Sequence, residues 1–129
     1  MQAVWISHFG GPEVLEIREV GKPTINNDQV LVRVRASSLN RADLLQRQGK
    51  YPPPPGVPAE IPGMEFAGEV AEVGTSVRQW KPGQRVLGLI GGGAHAEYVV
   101  TYERLLAEIP ANLSFAEAAA VPEVFITAH

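Results

Sequence analysis

The chain has no cysteine and only three histidines in 129 residues. Without thiols there is no disulfide, no thiolate nucleophile, no iron–sulfur ligation and no cysteine-based zinc site. His8, His95 and His129 are too widely spaced in sequence to suggest a cluster, so a metal-free protein is expected. No apolar run approaches the roughly 18 residues a membrane helix needs. The opening MQAVWISHFG lacks the basic stretch and apolar core of a secretory signal. A soluble, cytoplasmic protein without a membrane partner is the expectation. Basic charge is scarce as well: 11 Lys and Arg stand against 14 Asp and Glu, for a net charge of −3. The cations are scattered rather than gathered in a stripe, which argues against a nucleic-acid partner.

What is present is enough for one folded domain. Hydrophobic residues make up 45% of the chain, sufficient to fill a core at this length and to exclude disorder as the default. Thirteen Gly and eleven Pro punctuate short apolar runs that mostly alternate with period two, the pattern of half-buried strands. Over 30–36, Val30, Val32, Val34 and Ala36 share one face while Arg33 and Arg35 take the other. Similar runs lie at 3–8, 14–20, 65–73, 85–90 and 94–101. Six short strands predict a mainly β fold, a small barrel whose closure removes exposed edges.

Helices interrupt the strands. Arg41–Gln48 is built of helix formers between Asn40 at the N-cap position and Gly49 as the stop. Ser114-Phe115-Ala116-Glu117 reads as a capping box ahead of Ala118–Ala120. Pro122 then suits the first turn of a further helix running to His129. With no stop signal after it, and with Val124, Phe125 and Ile126 too apolar for a solvated tail, the chain is expected to be one piece of a longer protein.

Gly91-Gly92-Gly93-Ala94-His95-Ala96 fits a loose GxGxxA pattern. A dinucleotide fingerprint needs a helix directly after the glycines, so that backbone N–H groups meet the pyrophosphate. The following Glu97–Thr101 reads as a strand, so a strand–turn–strand connection is expected and His95 is placed as a hairpin residue. Six of the eleven prolines fall at 52–55, 58 and 62, a stiff loop between structured elements. It reads as a rigid lip beside a cleft, with a ligand for an SH3 or WW domain as the alternative. Tyr51 and Asn40 place a phenol and an amide on connecting segments, where sites concentrate but where satisfied structural polar groups are also common. Asp43 with Arg41 or Arg47 is most simply a surface ion pair.

Ser38–Asp43, Gln46–Tyr51 with the prolines after it, Phe9–Glu13, Gly63–Val70, Trp80–Val86 and Ala118–Glu123 with Thr127-Ala128 follow one another in order along nearly the whole chain. Together they resemble the zinc-independent quinone oxidoreductases of the medium-chain dehydrogenase/reductase superfamily, in particular the tumour-suppressor-inducible quinone oxidoreductase group. The resemblance implies a GroES-like, partly open barrel with a few short helices over 1–121. Residues 122–129 would then begin the helix leading to a Rossmann domain, with the active site in the cleft between the two. Asn40, Met64 and Glu123 stand where zinc-dependent relatives carry their metal ligands, and an amide, a thioether and one carboxylate make a poor zinc shell.

The implied activity is hydride transfer from NADPH to a quinone or enone. Tyr51 or Asn40 would stabilise charge on the substrate oxygen, while Asn40, Arg41, Asp43, Met64, Glu123 and Thr127 would line the cofactor side. The complete enzyme is implied to be a homodimer, the isolated domain a nearly inactive monomer. The choice of NADPH over NADH rests on the resemblance alone, and a stand-alone GroES-like binding module without redox activity is the other reading.

Overall fold

A computed structural model describes residues 1–128; His129, the expected end of the last helix and one of the three imidazoles, lies outside the described residues. Seven strands are formed: β1 (Gln2–Ile6), β2 (Leu15–Glu19), β3 (Gln29–Ser38), β4 (Glu65–Val73), β5 (Arg85–Leu89), β6 (Tyr98–Tyr102) and β7 (Leu106–Glu108). Three short helices accompany them: α1 (Arg41–Arg47), α2 (Phe115–Ala119) and α3 (Pro122–Ala128). The strands make a two-stranded ribbon, β1-β2, and a five-stranded antiparallel sheet in the order β6-β3-β4-β5-β7. Among the described residues the fold is mainly β, with two sheets and no closed barrel. The ribbon joins the rest through the Ala3–Ala96 bridge, with the Val4 N–H donating to the His95 carbonyl at 2.8 Å.

The core follows from the valine-rich strands. Val30, Val32, Phe66, Val70, Val86, Ala94, Val99 and Leu106 form one buried cluster, while Ala67, Ile109, Ala118 and Ala119 form another that seats α2 on the sheet. α2 begins as its sequence dictates: Ser114 Oγ accepts from the Glu117 N–H at 3.1 Å, and the Glu117 carboxylate accepts from the Ser114 N–H.

The expected alternation in β3 forms, with Val30 and Val32 in the core and Val34 packed against them, but Leu31 on the opposite face is buried as well. The pairing with β4 slips twice, leaving Ala71 of β4 and Arg35 of β3 as the extra residues, and such bulges bend the strands. The expected strand over 94–101 shortens to β6, and β7 is a seventh strand of three residues, too short for a periodicity to be read. The glycine segment is not a hairpin either. β5 and β6 are separated in the sheet by β4 and β3, so 90–97 is a crossing segment. It is held to the proline loop by Gly93 N–H to Ile61 O, Ala94 N–H to Gly63 O and His95 N–H to Pro62 O, at 2.8–3.0 Å. The proline loop thereby becomes the wall against which this segment is laid.

At Gly68 of β4 an added Cβ would stand 2.1 Å from the Arg33 carbonyl oxygen of β3, so the two central strands approach too closely for any side chain. Gly68→Ala is expected to lower stability by about 1–3 kcal/mol, read as a shift of the urea unfolding midpoint; an unchanged midpoint would mean that β3 and β4 are not so closely packed.

Candidate functional site

The site is built where β3 ends, α1 begins, β4 starts and α3 starts. Asn40 occupies the N-cap position of α1 with extended backbone, and its N–H is taken at 2.9 Å by Oδ2 of Asp43 in the first turn. A carboxylate there meets both a free N–H and the positive end of the helix. Asp43 Oδ1 accepts the Gly63 N–H, also at 2.9 Å. One carboxylate therefore ties the start of α1 to the segment that carries Met64 into β4.

Asp43 is not the surface ion pair that its neighbours Arg41 and Arg47 suggest. It is buried, with 6% of its surface exposed, and its partner is His95, whose Nε2 stands 3.5 Å from Oδ2. The helix turns Asp43 inward while Arg41 faces solvent. Burial pushes the Asp43 carboxyl up, but the His95 imidazole and the N–H groups of Asn40 and Gly63 outweigh it and hold the group below its ordinary value of 3.8.

Glu65, the first residue of β4, is a second buried carboxylate at 2% exposure. Its Oε1 accepts from the Asn40 side-chain amide at 2.9 Å and its Oε2 accepts the Glu123 N–H at 2.8 Å. Asn40 is thus gripped twice, by Asp43 at the backbone and by Glu65 at the amide. The Glu123 carboxylate in turn accepts from the Thr127 hydroxyl one turn further along α3, at 3.2 Å.

Of the residues expected at the site, Asn40, Asp43, Met64, Glu123 and Thr127 thus belong to one connected frame, Met64 through its neighbours Gly63 and Glu65. Arg41 is exposed beside it on α1. Tyr51 is half-buried at the head of the proline loop, and no hydrogen bond of its phenol occurs among the described residues. Two members were not anticipated. Glu65 reads in sequence as the first residue of an alternating strand, where a carboxylate suggests a solvent face. His95 reads as a turn residue, and its partners, Ser37 and Asp43, are 58 and 52 positions away in the chain. The one sign of shared geometry was the resemblance, which sets Asn40, Met64 and Glu123 at the metal-ligand positions of zinc-dependent relatives.

The profile of the alcohol dehydrogenase GroES-like domain matches residues 26–111, and the chain belongs to that family. It is 38% identical to the mouse synaptic vesicle membrane protein VAT-1 homolog-like over 129 residues, all of this chain and 31% of that protein. It is 36% identical to the chloroplastic NADPH-dependent alkenal/one oxidoreductase of Arabidopsis thaliana, across 99% of this chain and 36% of the relative. Among solved structures, the Escherichia coli quinone oxidoreductase complexed with NADPH superimposes with a TM-score of 0.83 at 33% identity, over 93% of this chain and 36% of that one. The chain thus spans about a third of the length of these relatives.

Two outcomes follow from the buried carboxylates. Glu65→Gln places an amide NH2 where one of two N–H donors now points, and is expected to cost about 1–3 kcal/mol of stability, measured by chemical denaturation. Because the folded carboxyl of Asp43 lies below 3.8, its ionisation adds stability that is complete above that value and is lost as pH falls through the lowered one. Asp43→Asn should reduce stability at pH 7 by about 1.5–3 kcal/mol and flatten the acid limb of the stability–pH curve; an acid limb identical to that of the unsubstituted protein would contradict the assignment.

Proposed function

We propose that this chain is the substrate-side domain, residues 1–121, of an NADPH-dependent quinone or enone oxidoreductase. Residues 122–129 lead into a nucleotide-binding domain, and hydride transfer takes place in the cleft between the two. The observation that carries this reading is the double grip on Asn40 by Asp43 and Glu65, which fixes an amide, the Met64 segment and the start of α3 relative to one another. Such rigidity is what positioning a substrate against a hydride donor requires. The activities of the Arabidopsis and Escherichia coli relatives support the same reaction class. α3 leaves Val124, Phe125 and Ile126 between 52% and 66% exposed, a surface suited to cover by a following domain.

The residues fit one wall of a dinucleotide site rather than the whole. Arg41 offers an exposed donor beside the frame, and Thr127, whose hydroxyl proton goes to Glu123, offers an exposed acceptor oxygen. The glycines at 91–93 are followed by a crossing segment and β6 instead of a helix, so they do not form the helix-borne pyrophosphate cradle of the usual fingerprint. NADPH, when bound, supplies the hydride. Arg41 would hold its charged groups, Thr127 would accept from one of its hydroxyls, and Met64 would give it an apolar contact. The Asn40 amide has two N–H bonds; Glu65 accepts one, and the other serves the substrate oxygen. The Tyr51 phenol donates a hydrogen bond to the oxygen on which charge develops. Reduction makes the quinone ring aromatic, so hydrogen bonding does here what a Lewis-acidic metal does for a simple carbonyl or alcohol. A homodimeric, cytoplasmic whole enzyme belongs to the same proposal.

The whole enzyme is expected to oxidise NADPH rapidly only when a quinone or enone is present; equal rates with and without acceptor would refute the function. Tyr51→Phe should lower kcat roughly 10- to 100-fold with little change in melting temperature, as monitored by turnover and thermal unfolding together. Equal losses in folding and turnover would instead mark a structural hydroxyl.

A further inference from the structure

His95 is nine-tenths buried and stands directly behind the frame. Its Nδ1 lies 2.8 Å from Ser37 Oγ on β3. Its Nε2 is buried, has no hydrogen-bond partner of ordinary length, and faces Asp43 Oδ2 at 3.5 Å, a distance long for a hydrogen bond but within ion-pair range. The ring also lies against Gly63, where an added Cβ would come within 2.9 Å of its Cγ and Nδ1. His95 therefore touches the same two elements that Asp43 joins: Asp43 itself and the Gly63 segment.

We infer that His95 is a positioning residue: braced by Ser37, its ring sets where Asp43 holds the Asn40 and Gly63 amides, and so where the Asn40 side chain and Met64 stand. That this placement serves chemistry rests on the function proposed above; the ring's control over it does not. In the neutral ring, Nδ1 accepts from the Ser37 hydroxyl and Nε2 carries the proton toward Asp43. The ring and Asp43 line one groove, and the other charged groups lining it are Arg35 of β3, Arg47 of α1 and Glu97 of the crossing segment. Arg35 is paired with Glu69 at 3.2 Å, and Glu97 accepts the Gln2 N–H at 2.7 Å, whereas Asp43 is the carboxylate within ion-pair range of the imidazole. Although burial pushes the Asp43 carboxyl up, the imidazole is among the groups that hold it below its ordinary value, in agreement with this contact.

The test is amide hydrogen exchange of the isotope-labelled protein by NMR at pH 7, following the Asn40 and Gly63 amides. In His95→Ala exchange of both amides is expected to quicken about tenfold, and His95→Gln, which keeps an N–H donor for Asp43, should restore much of the protection. Exchange that is unchanged in His95→Ala, or that His95→Gln does not rescue, would overturn the inference. No turnover is needed for this readout, so a lack of quinone reduction would refute the proposed function and leave the positioning role standing.

Discussion

A buried carboxylate is tolerated only when both of its oxygens are occupied, because an ionised group without partners is costly away from water. Asp43 and Glu65 meet that requirement with four donors drawn from four places: the Asn40 backbone, the Gly63 backbone, the Asn40 amide and the Glu123 backbone. The start of α1, the approach to β4 and the start of α3 are therefore not free to move independently. Breaking one bond leaves either a buried donor or a buried charge unsatisfied, so the arrangement resists partial loosening.

The sheet makes this possible by bringing β3 and β4 side by side at the centre, with Gly68 allowing close approach to Arg33. Ser38 at the end of β3 pairs with Glu65 at the start of β4, so the chain leaves the sheet toward Asn40 on one strand and enters it from Met64 on the next. The proline loop spans the gap between α1 and β4, and the crossing segment 90–97 is laid against it by three backbone hydrogen bonds. That is how His95, far from the site in sequence, arrives behind Asp43.

Much of this was legible in the residues, and what was not has a common cause. The strand and helix positions followed from alternation, caps and stops: β4 runs over the expected 65–73, and α1 begins directly after Asn40. The mainly β class and the GroES-like family followed from the same signals and from the ordered motifs. Contacts made across many residues were lost. The alternation over 30–36 carries no sign that Leu31, on the face opposite Val30 and Val32, is also covered. Asp43 has arginines within helical reach, so local pairing seemed sufficient, whereas the fold buries it against a histidine on another segment. Glu65 looked like one position of an alternating strand because its partners, Asn40 and Glu123, are 25 and 58 residues away.

The central claim is that Asp43 and Glu65 act as one frame through Asn40, and a double-mutant cycle of Asp43→Asn and Glu65→Gln, read by chemical denaturation at pH 7, tests it most directly. If the two carboxylates share the frame, the double variant should depart from the sum of the single losses by about 1 kcal/mol or more. Losses that add to within about 0.5 kcal/mol would show two independent anchors and contradict the account.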